Sequence, residues 1–326
     1  MSMRDHSTSV HEYRGAGDQS PGHADDWWRN VSHTLRRWRR AAKSHLPYVR
    51  RREYAKLTRK YNALANGVGL LTRRACDARI EAIKPVTAPL VGDVCLFLCH
   101  HEGPSLKPHV LVHLQHLLAS GVRVVLILNS DEFHPWVDME PALSRRLSGI
   151  YLRDNEGFDF AGWAHVHSLI RPMLNAARLM LVNDSVAGPL APQQFKDMIG
   201  RIRASRADMV GLTEALKPIP HLQSYFLVFQ RRLLHGDELV RFFDSVLSFD
   251  DKATVIDVYE IRLTQRMRDA GYGCEALFPA MSDDPYASND TYFRWVELLD
   301  CGFPYVKMSV LREFGQHPRL RELDIG

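Results

Sequence analysis

Short apolar runs alternate with helix-patterned segments along this chain, and each run is cut off by a polar loop; no other feature constrains the fold more. Val94-Cys95-Leu96-Phe97-Leu98 reads as a buried strand. Val110, Leu111, Leu114, Leu117 and Leu118 make one helix face that Gly121 closes, and residues 122–128 form a second buried strand. A helix at 141–147 precedes a strand at 150–152, and a helix at 162–175 precedes a strand at 179–182. Pro192 suits the first turn of a helix that reaches Ala204. Residues 208–212 and 222–229 read as further strands. Ile256, Tyr259, Leu263, Met267 and Ala270 mark a helix that stops at Gly271. Such alternation predicts an α/β sandwich with a mostly parallel central sheet, occupying residues 90–326.

Two of the polar loops carry the chemistry. Arg153-Asp154-Asn155-Glu156-Gly157-Phe158-Asp159 follows Ile150-Tyr151-Leu152, and Asn183-Asp184-Ser185 follows Leu179-Met180-Leu181-Val182. Carboxylates just beyond the C-terminal ends of strands lie where open α/β sheets bind ligands. There they can hold a hard cation or accept sugar and ribose hydroxyls. The pattern suggests a nucleotide-sugar site.

The 326 residues are 45% hydrophobic and 25% charged, enough for a full core plus an extension. No apolar run approaches the roughly 20 residues of a membrane span. The first 26 residues are polar, read as a disordered tail, and contain no secretory signal. The five cysteines form no CxxC pair; Cys95 and Cys99 share one strand face and read as packing residues of a reduced, cytoplasmic protein.

The net charge of +4 hides an asymmetry. Residues 27–60 carry twelve Lys/Arg against one acid, Glu53, so the remainder stands at −7. Within 27–85, read as a basic amphipathic helical arm, Trp28, Val31, Leu35, Trp38 and Ala42 recur at spacings of three and four. Arg36, Arg37, Arg39, Arg40 and Lys43 mostly fall elsewhere on the wheel. That is the pattern of a helix in an anionic lipid interface, which implies a protein peripheral to the inner face of the plasma membrane. A helical hairpin packed on the body or on a partner chain has the same pattern. No nucleic-acid-binding motif is present, so nucleic acid is not expected as a partner.

The body resembles the rhamnan synthesis protein F family. The resemblance rests on Arg153-x-Asn155-x-Gly157-x-Asp159 with Gly162-Trp163, then Leu181-Val182-Asn183-Asp184-Ser185 with Gly188-Pro189. It continues through His221-Leu222-Gln223-Ser224-Tyr225-Phe226, Tyr259-Glu260-Ile261-x-Leu263-Thr264 with Ala270-Gly271-Tyr272, and Gly302-Phe303-Pro304-Tyr305-Val306-Lys307. The resemblance implies a glycosyltransferase A-like fold. It also implies transfer of a sugar, rhamnose by the family's name, from a nucleoside diphosphate to a polysaccharide or lipid-linked acceptor. The implied donor-binding residues are His100, Arg153, Asn155, Asp159, Asn183, Asp184 and Ser185. Asp184 would hold Mg²⁺ or Mn²⁺, although the loop has one carboxylate where such folds usually have two. Arg153 offers an alternative, a bidentate fork on phosphate. Glu260 is the expected general base and His221 an acceptor-side residue. Asp184 also reads as a turn or capping aspartate, and Glu260 as an acid favoured in the first turn of a helix.

His109, His113 and His116 fall on one side of a helix and read as a solvated face rather than a metal site. No P-loop or Gly-x-Ser-x-Gly elbow is present. The lone acid of the Asn-Asp-Ser loop keeps a second class open, a non-catalytic transferase-like module that recruits a synthesis complex to the membrane.

Overall fold

Alternating apolar side chains point to both faces of the central strands, so the sheet must be covered on both sides. A computed structural model has this arrangement. It describes residues 73–133, 137–281, 289–321 and 323. The tail and arm up to residue 72, with their membrane reading, lie outside the described residues.

The main elements in chain order are β1 (Ile80–Lys84), β2 (Leu90–His100), α1 (Pro108–Ala119), β3 (Arg123–Ser130), α2 (Pro141–Arg146) and β4 (Gly149–Asp154). They continue with α3 (Phe158–Ile170), β5 (Leu174–Asn183), α4 (Pro192–Ala204), β6 (Met209–Ala215) and β7 (Phe226–Gln230). The last are α5 (Asp237–Asp244), α6 (Ile261–Asp269) and β8 (Cys274–Phe278). The sheet order is β8-β6-β7-β5-β2-β3-β4-β1, and a short strand at His221–Leu222 also pairs with β6.

The sheet is mixed. β2 runs parallel to β3 and β5, β3 to β4, and β6 to β8. β7 is antiparallel to both β5 and β6, and β1 is antiparallel to β4. Val94, Leu96 and Leu98 enter one core with Phe160 and Trp163 of α3. Cys95, Phe97 and Cys99 enter the other, with Leu114 of α1 and Phe195 of α4. All five cysteines are free.

Several sequence expectations need correction. Residues 80–84, read as the end of a helical arm, form edge strand β1, and Arg73–Arg74 pairs with Leu247–Ser248. The helix expected to reach residue 175 ends at Ile170. Pro172, which lacks an N–H, sits in a 3₁₀ turn at Arg171–Met173, and β5 begins at Leu174. The strand expected over 222–229 is broken by a turn between Leu222 and Phe226. The helix around residue 260 is irregular, with a π turn over Ile256–Glu260 between Lys252–Val255 and α6.

The histidine face of α1 is not solvated. His113 is 0% exposed, bonds the Tyr305 hydroxyl at 2.8 Å and lies against Phe97, Phe195 and Phe226. Burial pushes its pKa down to about 3, so it packs as a neutral ring. His109 is also buried.

Candidate functional site

From β2 the chain moves to β3 and β4 on one side, while β5 lies against β2 on the other. The strand order therefore reverses between β2 and β5. Crevices at such reversals, outside the carboxyl ends of the strands, are where open α/β sheets bind ligands. His100 ends β2 and Asn183 ends β5, so both polar positions stand at that crevice.

Asp159 and Asp184, far apart in sequence, come together there. Gly157 has φ of +72° and Phe158 of +56°. This left-handed pair turns the chain sharply from the loop after β4 into α3. The turn sets Asp159 in the first helical turn, where its Oδ2 accepts from Asn183 Nδ2 at 2.9 Å. Asn183 Oδ1 accepts from the Ser185 N–H at 3.1 Å, which closes an Asx turn and aims Asp184 towards β2. Asp184 Oδ2 accepts from the His100 N–H at 3.3 Å and from Lys107 Nζ at 3.4 Å. Its carbonyl oxygen accepts from His109 Nε2 at 3.3 Å. Met308 N–H donates to Ser185 O at 2.9 Å, which fastens the loop from behind.

Burial pushes the Asp159 carboxyl up to about 6, and the charges of Asp184 and Glu260 push it the same way. Lys252 and the Asn183 amide oppose the rise. Asp159, Asp184, Glu260 and Lys252 thus share one electrostatic neighbourhood. Raised acids beside other acids are a frequent mark of functional clefts.

On the β3–β4 side, the His100 ring lies 2.9 Å from Asp131 Oδ2 and 2.9 Å from Glu102 Oε1. Asn155 Nδ2 donates to Asp131 Oδ1 at 2.9 Å. The Asn155 amide, and then His100, hold the Asp131 carboxyl below its ordinary range. A cavity of about 230 Å³ opens beside His100, bounded by His101, Ser105, Leu106 and Lys107.

On the β7 side, Glu260 is the last residue of the π turn. Its Oε2 accepts a hydrogen bond from the Ser224 hydroxyl, and its Oε1 lies 3.8 Å from His221 Nε2. A carbonyl oxygen only accepts, so His221 Nδ1 donates to Ile219 O at 2.7 Å and Nε2 faces the carboxylate. π turns recur at functional sites because the extra residue re-aims a side chain.

Arg153 is not among the groups that meet. Its side chain is fully buried and donates to the carbonyls of Asp154 and Glu156 at 2.8 Å, of Ala75 at 3.2 Å, and to His165 Nδ1 at 3.4 Å. Burial lowers its pKa to about 10. It ties the 154–156 loop to the segment before β1, and its fork has no route to a phosphate.

The expected divalent metal also fits poorly. Asp184 is the single acid of its loop, Lys107 already faces the oxygen a metal needs, and among the described residues no three His, Cys, Asp or Glu side chains gather for one.

Sequence reasoning missed Lys107, Asp131 and Lys252, and named Ser224 only as part of the His221–Tyr225 segment. Asp131 carried a visible signal. It follows the apolar run of β3 just as Asp184 follows that of β5. Lys107 carried a fainter one, immediately before the Pro108 that opens α1.

Known proteins bear on the same region. A family profile described as Rhamnan synthesis protein F matches residues 124–320, more than half of the chain. An uncharacterized protein of Sinorhizobium fredii, y4gN, is 30% identical over 203 residues, 61% of this chain and 50% of its own. Virulence protein VirA of Vibrio anguillarum is 27% identical over 193 residues, 49% of this chain and 61% of its own. The chain spans about half to three-fifths of the length of these relatives. The profile's match takes in the loops at 153–159 and 183–185 and the turn bearing Glu260, and on that ground the chain belongs to the rhamnan synthesis protein F family.

Proposed function

We propose that this protein is a glycosyltransferase with a glycosyltransferase A-like catalytic body. It moves a sugar from a nucleoside diphosphate to a polysaccharide or lipid-linked acceptor. The observation that carries this reading is the convergence of Asp159, Asn183 and Asp184 at the strand-order reversal, with Glu260 on the facing side. Rhamnose as the sugar rests on the family's name. A virulence protein among the relatives is in keeping with a cell-surface polymer as product.

In this reading the donor lies across the carboxyl ends of β2 and β5. His100, Asn155 and Asp131 form a polar edge suited to ribose or base, and Asn183 with Asp184 sets the diphosphate end. Glu260, oriented by Ser224, faces the acceptor hydroxyl. As the acceptor oxygen bonds to the anomeric carbon, that carbon's bond to the diphosphate breaks and the hydroxyl proton passes to the Glu260 carboxylate. General-base assistance of this kind is worth roughly 10²–10⁴-fold.

The test is release of nucleoside diphosphate from a panel of nucleotide sugars, with and without oligosaccharide acceptors. Turnover by the wild type, and a loss of about 10²-fold or more in Glu260→Gln and Asp184→Asn, supports the reading. The poor fit to a metal favours a second one, a non-catalytic binding module. Donor binding without release from any nucleotide sugar would establish that module instead.

A further inference from the structure

Asp184 stands where a divalent cation is expected in this kind of fold, yet its surroundings already contain a cation. Lys107 Nζ lies 3.4 Å from Asp184 Oδ2, and the His100 N–H takes the same oxygen at 3.3 Å. Mg²⁺ demands near-octahedral oxygens at about 2.0–2.1 Å. An ammonium on its one available carboxylate would repel it. A pyrophosphate still needs a counter-charge, and Arg153, the other nearby cation of the motif, is buried against backbone carbonyls.

Resting on the donor reading above, we infer that Lys107 takes the place of the metal. Its ammonium neutralises the donor's pyrophosphate in the cavity beside His100, and Asp184 aims the lysine rather than ligating a cation. Lys107 lines that cavity of about 230 Å³. Its side chain is 34% exposed against 17% for Asp184, so the lysine reaches the carboxylate while part of it stays open to solvent. Three protons let one ammonium serve a carboxylate and two phosphate oxygens together. Lys107 also caps the twelve-residue α1, whose positive end adds to the attraction. The acids around the cavity are already engaged. Glu102 and Asp131 each pair with His100, and Asp159 is bonded by Asn183 and neighboured by Lys252.

The test uses the full chain and calorimetric titration with inorganic pyrophosphate, UDP and dTDP, in EDTA and then in Mg²⁺ or Mn²⁺. The expected result is binding in EDTA, with the affinity changed less than about threefold by either metal. Lys107→Met should weaken binding about tenfold or more, and Lys107→Arg should recover part of it. An unchanged unfolding temperature for ligand-free Lys107→Met separates this loss from misfolding. Binding that appears only with a metal, or a Lys107→Met variant that binds like the wild type, overturns the inference and leaves the transferase reading standing. No binding of any of the three probes, with or without metal, sinks both.

Discussion

Asp159 shows how one side chain carries opposing demands. The fold half-buries it beside two other acids, so its ionised form is disfavoured, while Lys252 and Asn183 partly restore it. Its folded pKa, about 6, lies above the ordinary 3.8. Below pH 3.8 the carboxyl is protonated in both folded and unfolded chains and costs nothing. The penalty grows as pH rises from 3.8 to 6 and is fully present above that. Asp159→Asn keeps an acceptor for the Asn183 amide and removes the charge. It should therefore raise stability by on the order of 2 kcal/mol at pH 8 and by close to nothing at pH 4. Urea unfolding at the two pH values checks this; an equal effect at both would contradict the assigned cause. Arg153 teaches the complementary lesson. A charged residue in a polar loop after a strand looks like a ligand group, and only the positions of the carbonyls of Ala75, Asp154 and Glu156 reveal that it is a buried strut.

At the scale of elements, punctuation residues made much of the fold legible. Gly121 closes α1, Pro192 opens α4, and the apolar runs of β2 to β5 lie where the pattern put them. The misses have local reasons. The Ile80-Glu81-Ala82-Ile83-Lys84 run of β1 is short, half polar and on an edge, so it lacks the continuous apolar signature of a buried strand. The π turn at 256–260 leaves no mark on a periodicity that is read by eye. Gly157 gives the sharpest element-scale prediction. Besides its left-handed φ, a Cβ there would lie 2.6 Å from Ser248 Cα and from Ala161 Cβ. Gly157→Ala should cost about 2–4 kcal/mol. Gly200, exposed within α4 and with open space around it, should instead gain about 0.5–1 kcal/mol on conversion to Ala. Chemical denaturation of the pair reads both signs.

For the whole molecule, one property is carried by residues outside the described set. Residues 27–60 concentrate the positive charge, and no described helix is long and apolar enough to cross a membrane. We propose that the arm binds an anionic lipid surface, where each Lys or Arg contributes on the order of 1 kcal/mol. Removing residues 1–65 should leave the body folded and abolish co-sedimentation with phosphatidylserine vesicles; retained sedimentation would assign the arm to a protein contact instead. The site itself was half legible. Asp159, Asp184, His100 and Asn155 were readable because strand ends advertise themselves, whereas Lys107 enters through a loop whose course depends on the tertiary fold.

The reversed direction of β7 has one more effect. A parallel strand can only finish at the rim where β2 and β5 finish, but an antiparallel one sets out from there. The Asn183 N–H accordingly meets Tyr225 O at 3.2 Å, and Ser224 enters beside the crevice between β2 and β5. The mouth is thus stitched from a departing thread and an arriving one. In the proposed transferase, the stretch before β7 is free to be recut for a different acceptor while the grip on the leaving group keeps its register.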